Sequence, residues 1–490
     1  MTACPNLHHL SVEAQAMIKN LFLRSLLCLL AACLLPACSK AQNTEPQPPL
    51  KPELTLTHVT TLRGQHILSP KSVRFSPDGS RFYVNSLEGL ETVVYDTYSL
   101  APIQVIRHEF DAKNASLFLN GETTAFDYEY FADVPEENRN CFGGKPVESA
   151  FSHDGRYLWV TYYRRTWDKY ANSPSAVAII DTAINRIVRV IPTGPLPKMI
   201  VPSPDGQTMA IIHWGDNSIG LVDIRSANPH DFTYKKLLVD GKRLNVKDLK
   251  GDRDAVCGFC LRGAAFSADS RYLFVGRMHN GGITVFDLKT MERLGTYMDV
   301  DPTPRHLILS QDGKKLYFTS NYAGTVTELD IEELLDIVRK GTGKVKHSRS
   351  LSVGKQARTL VQSPDGKKLF VACNRSTELA VVDIKKWQKI ATVQTTPFTV
   401  GVAVSPNGEL AITTSQGRNG KGGHAVDVFR IDPPVGPKPA PAEKPADNPS
   451  LEPASHAEEI QAPEGEPKEK KPVDTTPPEP PKRGQDSLND

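Results

Sequence analysis

One feature of the sequence recurs seven times and restricts the folds that the chain can adopt. It is a short turn of the pattern Ser-x-Asp-Gly, or a close variant of it, between two runs of alternating apolar residues. Aspartate or asparagine followed by glycine between β-rich runs is a strong hairpin signal, because these residues adopt positive φ at little cost. The sequence therefore predicts seven hairpin units in succession. Their turns begin at Ser76, Ser152, Ser203, Ser267, Ser310, Ser363 and Ser405.

The hairpins belong to longer units. In six of the seven, a third apolar run follows and ends in aspartate, as in TVVYD at Asp96 and VAIID at Asp181. The last two turns, at Ser363 and Ser405, are 42 residues apart, and the other spacings are longer because of insertions. A four-stranded unit of about 40 to 45 residues has the length of a propeller blade. We therefore predict an all-β protein with a seven-bladed β-propeller over residues 53–432.

Two of the repeats also resemble a known family. The segment GKKLFVACNRSTELAVVDIKKWQKIATV, which begins at Gly366, and the segment GRYLWVTYY, which begins at Gly155, are similar to repeats of the YVTN-type β-propeller family. The resemblance covers nearly all of residues 54–432. It implies the propeller scaffold and says little about function, because the family is defined by its scaffold more than by a shared chemistry.

Closure of the ring can also be predicted. The seventh unit ends near Asp432 after its third strand, while ELTLTHVTTLRG (Glu53 to Gly64) precedes the first unit. We expect this segment to be the outermost strand of the seventh blade. Such pairing joins the two ends of the propeller and covers a sheet edge.

The N-terminal segment has the pattern of an export signal. Lys19 and Arg24 flank the start of an apolar run that ends in LPAC at Cys38, which is typical of a signal peptide. The LPAC sequence resembles the lipobox of bacterial lipoproteins, which implies cleavage after residue 37 and lipidation of Cys38. We therefore predict a signal peptide over residues 1–37 and an outer-membrane lipoprotein of the bacterial envelope, facing the periplasm or the exterior.

Two further segments are poor in the residues that build a core. Residues 38–52 and 433–490 contain many prolines and almost no aromatic side chains. Such segments bury too little apolar surface to offset the entropy of ordering. We predict a flexible linker and a disordered, proline-rich tail. The formal net charge of +2 is close to neutral and gives no indication of nucleic-acid binding.

Four cysteines remain in the predicted propeller, at Cys141, Cys257, Cys260 and Cys373. The blade topology places them on or toward one face. The CGFC segment lacks the histidine of a haem attachment motif, and an exported compartment permits disulfides. We expect a disulfide that involves Cys257 or Cys260, and a buried free thiol at Cys373. The alternative is a structural metal held by Cys141, Cys257 and Cys260, with His279 or another side chain as the fourth ligand.

Cations recur at one position of the repeat. Five residues before the turn serine, five of the seven units carry a lysine or an arginine: Lys71, Lys198, Arg262, Arg305 and Arg358. Equivalent positions in a propeller form a ring, so these side chains are expected to converge on the mouth of the central channel. Clustered cations in a concave site attract anions.

Loops that follow the second strands are expected to reach the same face. They contribute the ligand-binding candidates Arg164, Arg277, His213 and His279. An acidic, aromatic insertion at residues 125–140 is expected to hang over this face, either as a lid or as a partner of the cations.

We predict a monomeric binding or interaction protein whose cationic, aromatic face receives an anionic small ligand or an envelope protein. No cofactor is expected, apart from the structural metal left open above. The alternative is a hydrolase or lactonase-like enzyme that uses His213 and His279 on the same face. A third possibility is a haem- or metal-binding propeller, since lactonase-like and haem d1-binding propellers share this scaffold by resemblance.

Overall fold

The structure is a computed structural model and describes residues 53–245, 247, 251–417 and 422–436. The predictions for Cys38, for the signal peptide, for residues 38–52 and for the tail from residue 437 lie outside these residues. Among the helices of the described part, none is long and apolar enough to span a membrane.

The predicted turns are stabilised by the hydroxyl group of their serine, which forms one hydrogen bond as a donor and one as an acceptor across the turn. In the sixth unit, Ser363 Oγ donates to Asp365 Oδ1 over 2.6 Å and accepts from the backbone N–H of Lys368 over 2.9 Å. Gly366 adopts a φ of 72°, which is cheap only for glycine. The turns at Ser76, Ser203, Ser267, Ser310 and Ser405 repeat the two serine bonds. The turn after Ser152 is instead a short 3-10 helix.

The strands form seven antiparallel sheets, one per blade. From the channel outwards, the first blade consists of β2 (Pro70–Phe75), β3 (Arg81–Ser86), β4 (Glu91–Asp96) and β5 (Pro102–Arg107). The second blade consists of β7 (Phe142–Ser152), β8 (Tyr157–Arg165), β9 (Ser175–Asp181) and β10 (Arg186–Thr193), with β6 (Glu109–Phe110) paired to the start of β7. The third blade consists of β11 (Pro197–Pro202), β12 (Thr208–His213), β13 (Ser218–Asp223) and β14 (Thr233–Val239). The fourth blade consists of β15 (Leu261–Phe266), β16 (Tyr272–Arg277), β17 (Ile283–Asp287) and β18 (Glu292–Tyr297). The fifth blade consists of β19 (Pro304–Leu309), β20 (Lys315–Ser320), β21 (Thr325–Asp330) and β22 (Ser348–Ser352). The sixth blade consists of β23 (Ala357–Gln362), β24 (Lys368–Cys373), β25 (Glu378–Asp383) and β26 (Gln388–Gln394). The seventh blade consists of β27 (Thr399–Val404), β28 (Leu410–Ser415), β29 (Ala425–Asp432) and β1 (Thr55–Leu62).

The ring closes as predicted from the sequence. The innermost strands β2, β7, β11, β15, β19, β23 and β27 each contact the innermost strands of both neighbouring blades. Strand β1 pairs antiparallel with β29, from Thr55 opposite Asp432 to Leu62 opposite Val426. The prediction that the N-terminal segment completes the seventh blade is therefore confirmed. The described chain continues beyond β29, and Val435 is buried beside the turn after Ser405.

The apolar core lies between the blades. Each of seven buried clusters joins side chains from two adjacent sheets, as when Phe274 of β16 packs in one cluster with Phe318 of β20. Because the apolar surface is buried between blades, the channel along the axis is left to polar side chains at one end. This division of the core positions the candidate site.

Helices are few in the described part of the chain. Helix α1 (Ile331–Lys340) connects β21 to β22, begins at the N-cap Asp330 and ends at Gly341, whose φ is 73°. Its buried face joins the cluster between the fourth and fifth blades. The short 3-10 segments are Ala112–Leu117, Leu119–Gly121, Glu136–Asn138, His153–Gly155 and Pro229–Asp231.

Candidate functional site

A cavity of about 430 Å³ lies where the innermost strands begin, at one end of the central channel. The five repeat-register cations all line it. We call them the cation ring: Lys71, Lys198, Arg262, Arg305 and Arg358. The same lining contains two carboxylates, Glu88 and Asp254, and Glu88 also pairs with Lys145 over 2.6 Å. Cationic side chains therefore outnumber carboxylates in the cavity.

The position of these cations follows from the repeat. Each is the second residue of its innermost strand, in β2, β11, β15, β19 and β23. Strand β27 carries Val400 at that place, and the corresponding residue of β7 is Val147. Five blades thus supply one cation each, from positions that are up to 287 residues apart in the chain.

Within the cation ring, Lys198 contacts both a carboxylate and two aromatic rings. Its ammonium group is hydrogen-bonded to Asp254 and lies 4.0 Å from the centre of the Trp214 ring and 5.1 Å from that of Tyr163. The Tyr163 hydroxyl donates to Asp254 over 2.8 Å. Burial lowers the pKa of Lys198 to about 7 despite the opposing effect of Asp254. This lysine therefore loses its proton more readily than an exposed lysine does.

Lys71 has fewer compensating contacts. Its ammonium group donates to Gln416 Oε1 over 2.8 Å. Burial, followed by repulsion from the other members of the ring, holds its pKa well below the usual value. Burial and neighbouring arginines act in the same way on Arg305, whose Nη1 lies 3.3 Å from Met278 Sδ. The positive charges of the ring thus repel one another in a buried place, and a bound anion would reduce this repulsion.

Arg262 has a buried ion-pair partner, Glu148. Its Nη2 donates to Glu148 Oε1 over 2.6 Å, and the two side chains are 8% and 11% exposed. Burial raises the pKa of Glu148, but Arg262 and Arg74 outweigh that effect, so the pKa is lowered overall. Glu148 therefore stays ionised and neutralises part of the ring.

The far end of the channel has a different character. There the innermost strands line a second cavity of about 500 Å³ with mostly apolar side chains, together with Arg74 and His306. Burial lowers the pKa of His306 to about 3, so its ring is neutral. The positive charge of the channel is consequently concentrated at the end where the strands begin.

Two predicted ligand-binding arginines are engaged elsewhere. Arg277 does not line the cavity, because its Nε and Nη2 donate to the carboxylate of Asp240, which is fully buried and also accepts from Arg293. Arg164 lies beside the cavity rather than in it. Its Nη2 donates to Tyr163 Oη over 2.7 Å and to Asp252 over 3.2 Å.

The two candidate histidines lie apart from the cavity and from each other. His213 is fully buried. Its Nε2 accepts from the Gly194 N–H over 3.2 Å, its Nδ1 lies 2.8 Å from Ser218 Oγ, and burial lowers its pKa to about 3. His279 is exposed in another loop, where its Nδ1 donates to the Gly258 carbonyl over 2.8 Å. The geometry therefore does not assemble the hydrolytic pair of the alternative prediction.

The cysteines do not gather into one cluster. Cys257 and Cys260 form a disulfide, while Cys141 and Cys373 are free thiols. Burial raises the pKa of Cys373 to about 12, which makes it an unreactive core residue. Within the described part of the chain, no three His, Cys, Asp or Glu side chains are arranged to hold a metal ion.

The insertion at residues 125–140 contacts the region between the third and fourth blades instead of the cation ring. Asp127 pairs with Arg243, and Glu129 pairs with Lys247 over 2.9 Å. Tyr128 reaches further in and donates to Asp216 over 2.6 Å. These contacts enclose a third cavity, of about 250 Å³, which Arg253 also lines. Sequence reasoning missed Arg253 and Arg243, because neither occupies a repeated position.

Comparison with known proteins supports the fold. No family model matches the chain, and no curated protein matches it. Among solved structures, the β-propeller domain of Cps50 (Swd1) from Myceliophteria thermophila is similar with a TM-score of 0.53 and 12% identity, over 77% of this chain and 99% of that one. Hydrazine synthase from Kuenenia stuttgartiensis is similar with a TM-score of 0.52 and 14% identity, over 75% of this chain and 97% of that one. At such low identity, these likenesses show the propeller fold alone.

Proposed function

We propose that this β-propeller binds a small anion with two or more acidic groups in the cavity of the cation ring. The observation that carries the proposal is the convergence of five cations from five blades on one cavity whose lining has two carboxylates. The volume of about 430 Å³ lies in the range of small-molecule sites, roughly 300 to 1,000 Å³.

The electrostatics favour an anion of more than one charge. Asp254 and Glu148 already engage Lys198 and Arg262, whereas Lys71 donates to the neutral amide of Gln416 and Arg305 has a thioether beside it. Arginine forks suit carboxylate and phosphate oxygens. A ligand that offers separate acidic groups to Lys71 and Arg305 supplies the compensation that these two side chains lack in the described contacts.

Titration calorimetry with citrate and with pyrophosphate tests the proposal, with glycerol as the uncharged control. We expect saturable binding of at least one of the two anions, weakened about tenfold or more in an Arg305→Met variant, which corresponds to about 1.4 kcal/mol. Lys340→Met is the matched control, because Lys340 is an exposed lysine on α1 paired with Asp336. Equal binding by the wild type and Arg305→Met, or no binding of either anion, would contradict the proposal.

We further propose that the propeller works in the bacterial envelope as a lipoprotein anchored through Cys38. The LPAC sequence that ends at Cys38 supports this, and the Cys257–Cys260 disulfide is of a kind that persists in oxidising compartments. Expression of the full chain with Cys38→Ala should release the protein from the membrane fraction, and intact mass should show acyl chains on the wild type alone. A wild-type protein found without acyl chains in the cytoplasm would contradict the proposal.

A further inference from the structure

The third cavity contains a buried arginine whose side-chain N–H groups have no hydrogen-bond acceptor among the described residues. This cavity, which we call the insertion cavity, lies between the insertion at residues 125–140 and the connection from the third to the fourth blade. Its principal lining residues are Tyr128, Phe131, Asp216, Arg243, Leu244 and Arg253. It is separate from the cavity of the cation ring, with which it shares no lining residue.

Arg253 is the unusual residue of this cavity. It is 1% exposed, and among the described residues its Nε, Nη1 and Nη2 have no hydrogen-bond partner. An arginine side chain remains charged in proteins and carries five N–H donors. Burial of such a charge without an acceptor is costly. A side chain placed in this way requires an acceptor from outside the described contacts.

The backbone explains why the nearby acids do not serve Arg253. Asp252 pairs with Arg164, and Asp254 pairs with Lys198 at the cation ring. Arg253 lies between them in the chain and points into the other cavity, with its peptide N–H bonded to the Tyr170 carbonyl over 2.9 Å and its Cγ beside Gly215. The turn that begins at Asp252, whose carbonyl accepts from the Ala255 N–H over 3.0 Å, thus directs the two acids toward one side and the arginine toward the other.

Asp216 lies in the cavity but already has other donors. Its carboxylate accepts from the Tyr128 hydroxyl over 2.6 Å and from the Ser218 hydroxyl over 2.7 Å. Arg243 Nε lies 3.6 Å from Asp216 Oδ2, and its guanidinium covers the Tyr128 ring at 4.0 Å. Arg243 is in addition paired with Asp127. Of the lining carboxylates, Asp127 pairs with Arg243 and Glu129 with Lys247, and Asp216 partly compensates the charge of Arg253 through space. None of them accepts a hydrogen bond from Arg253, so its N–H donors remain without an acceptor among the described residues.

We propose that the insertion cavity binds a small organic monocarboxylate, whose carboxylate takes the two-pronged hydrogen bond of the Arg253 guanidinium. One arginine fork without an acceptor fits one carboxylate. Phe131, Leu244 and Pro195 line the same cavity and contact the apolar body of the ligand. This site is distinct from the cavity of the cation ring, for which we propose an anion of higher charge. Either proposal can fail without affecting the other.

The first test uses propionate, with propionamide as the neutral isostere and Arg253→Met as the variant. We expect propionate to raise the melting temperature of the wild type with saturation, and propionamide to leave it unchanged. Without ligand, Arg253→Met should melt at a higher temperature than the wild type, because it removes a buried charge. It should not respond to propionate.

Two further variants separate the possible explanations. Arg305→Met, which alters the cation ring, should keep the full response to propionate. Arg253→Lys keeps the charge without the planar fork and should weaken propionate binding by about tenfold or more. A lower melting temperature of Arg253→Met together with an unchanged response to propionate would make Arg253 a structural residue and overturn the proposal. Equal responses to propionate and propionamide would overturn it as well.

Discussion

Arg262 and Arg277 show how the immediate partner of a charge decides its role. Both side chains are 8% exposed and both lie near the ends of strands of the fourth blade. Arg277 shares the fully buried carboxylate of Asp240 with Arg293 and Thr284. Arg262 has a single bond to Glu148 and still lines the cavity. Arg277 is therefore held in a buried ion pair, whereas Arg262 still faces the cavity of the candidate site.

This difference gives a prediction about Asp240. Asp240→Ala leaves Arg277 buried without its partner, so the free energy of unfolding should fall by about 3 to 5 kcal/mol. Urea denaturation measures the change. Asp336→Ala is the control, because it breaks the exposed pair with Lys340 on α1 and should cost less than about 1 kcal/mol.

The same experiment tests whether Arg277 takes part in anion binding. The folded Asp240→Ala protein should bind citrate or pyrophosphate as the wild type does, since neither Asp240 nor Arg277 lines the cavity of the cation ring. A loss of anion affinity with unchanged stability would show that Arg277 belongs to the binding site.

Among the elements, β1 holds the two ends of the propeller together. It covers the outer edge of β29 from Val426 to Asp432, and Thr61 Oγ1 donates to Asp427 over 2.7 Å. An uncovered edge strand presents unpaired backbone groups that can pair with another chain. The blade that closes the ring is therefore the element whose stability depends on contacts between distant parts of the sequence.

Removal of β1 should weaken the closure. We compare a chain that begins at residue 53, which keeps β1, with one that begins at residue 64, which lacks it. The shorter chain should melt at a temperature about 5 °C lower, which for a domain of this size corresponds to a loss of roughly 4 kcal/mol. Light scattering should also show self-association through the exposed edge of β29. Equal melting temperatures and a monomeric shorter chain would show that β1 contributes little to closure.

At the scale of the whole molecule, ring closure brings five cations together at a cost in electrostatic energy. Burial and mutual repulsion hold the pKa of Lys71 well below its usual value and that of Lys198 at about 7. In the unfolded chain both lysines have ordinary values. Between about pH 7 and the ordinary lysine value, the unfolded state therefore binds more protons, so without ligand the stability should rise with pH in this window.

Anion binding should have the opposite pH dependence. A bound anion favours the protonated lysines and raises their pKa, so binding takes up protons. The affinity should be highest below about pH 7 and fall as the pH rises through the pKa of Lys198. Calorimetry of citrate binding at pH 6 and pH 8.5, in buffers of different ionisation enthalpy, measures both the affinity and the proton uptake.

The variant Lys198→Met provides the control for this prediction. It should bind more weakly at pH 6 and show a flatter pH profile than the wild type, whereas the exposed-site variant Lys340→Met should behave as the wild type does. An affinity that is the same at both pH values, with no proton uptake, would show that Lys198 does not respond to the ligand.

Much of this architecture could be predicted from the sequence, because the information repeats. The turn at Ser363 reports a hairpin by itself, and its agreement with six other turns sets the number of blades. The same register predicts that Lys71 and Arg358 meet in the structure, although 287 residues separate them. The closing strand β1 could be predicted because an apolar segment before the first unit matched the strand that the last unit lacked.

The tertiary structure decided which of the individual charged side chains are paired and with which partner. Arg277 pairs with Asp240 in the connection that follows the third blade, and His213 is buried against Tyr128 of the insertion. The side chain of Arg253 has no hydrogen-bond partner among the described residues. These outcomes depend on insertions that occur once and follow no period. The sequence by itself determined the blades, their order and the ring of cations, because repeated turns and strands act locally. Which of the other charges are paired, and which cavity each one faces, depended on packing between segments that share no pattern.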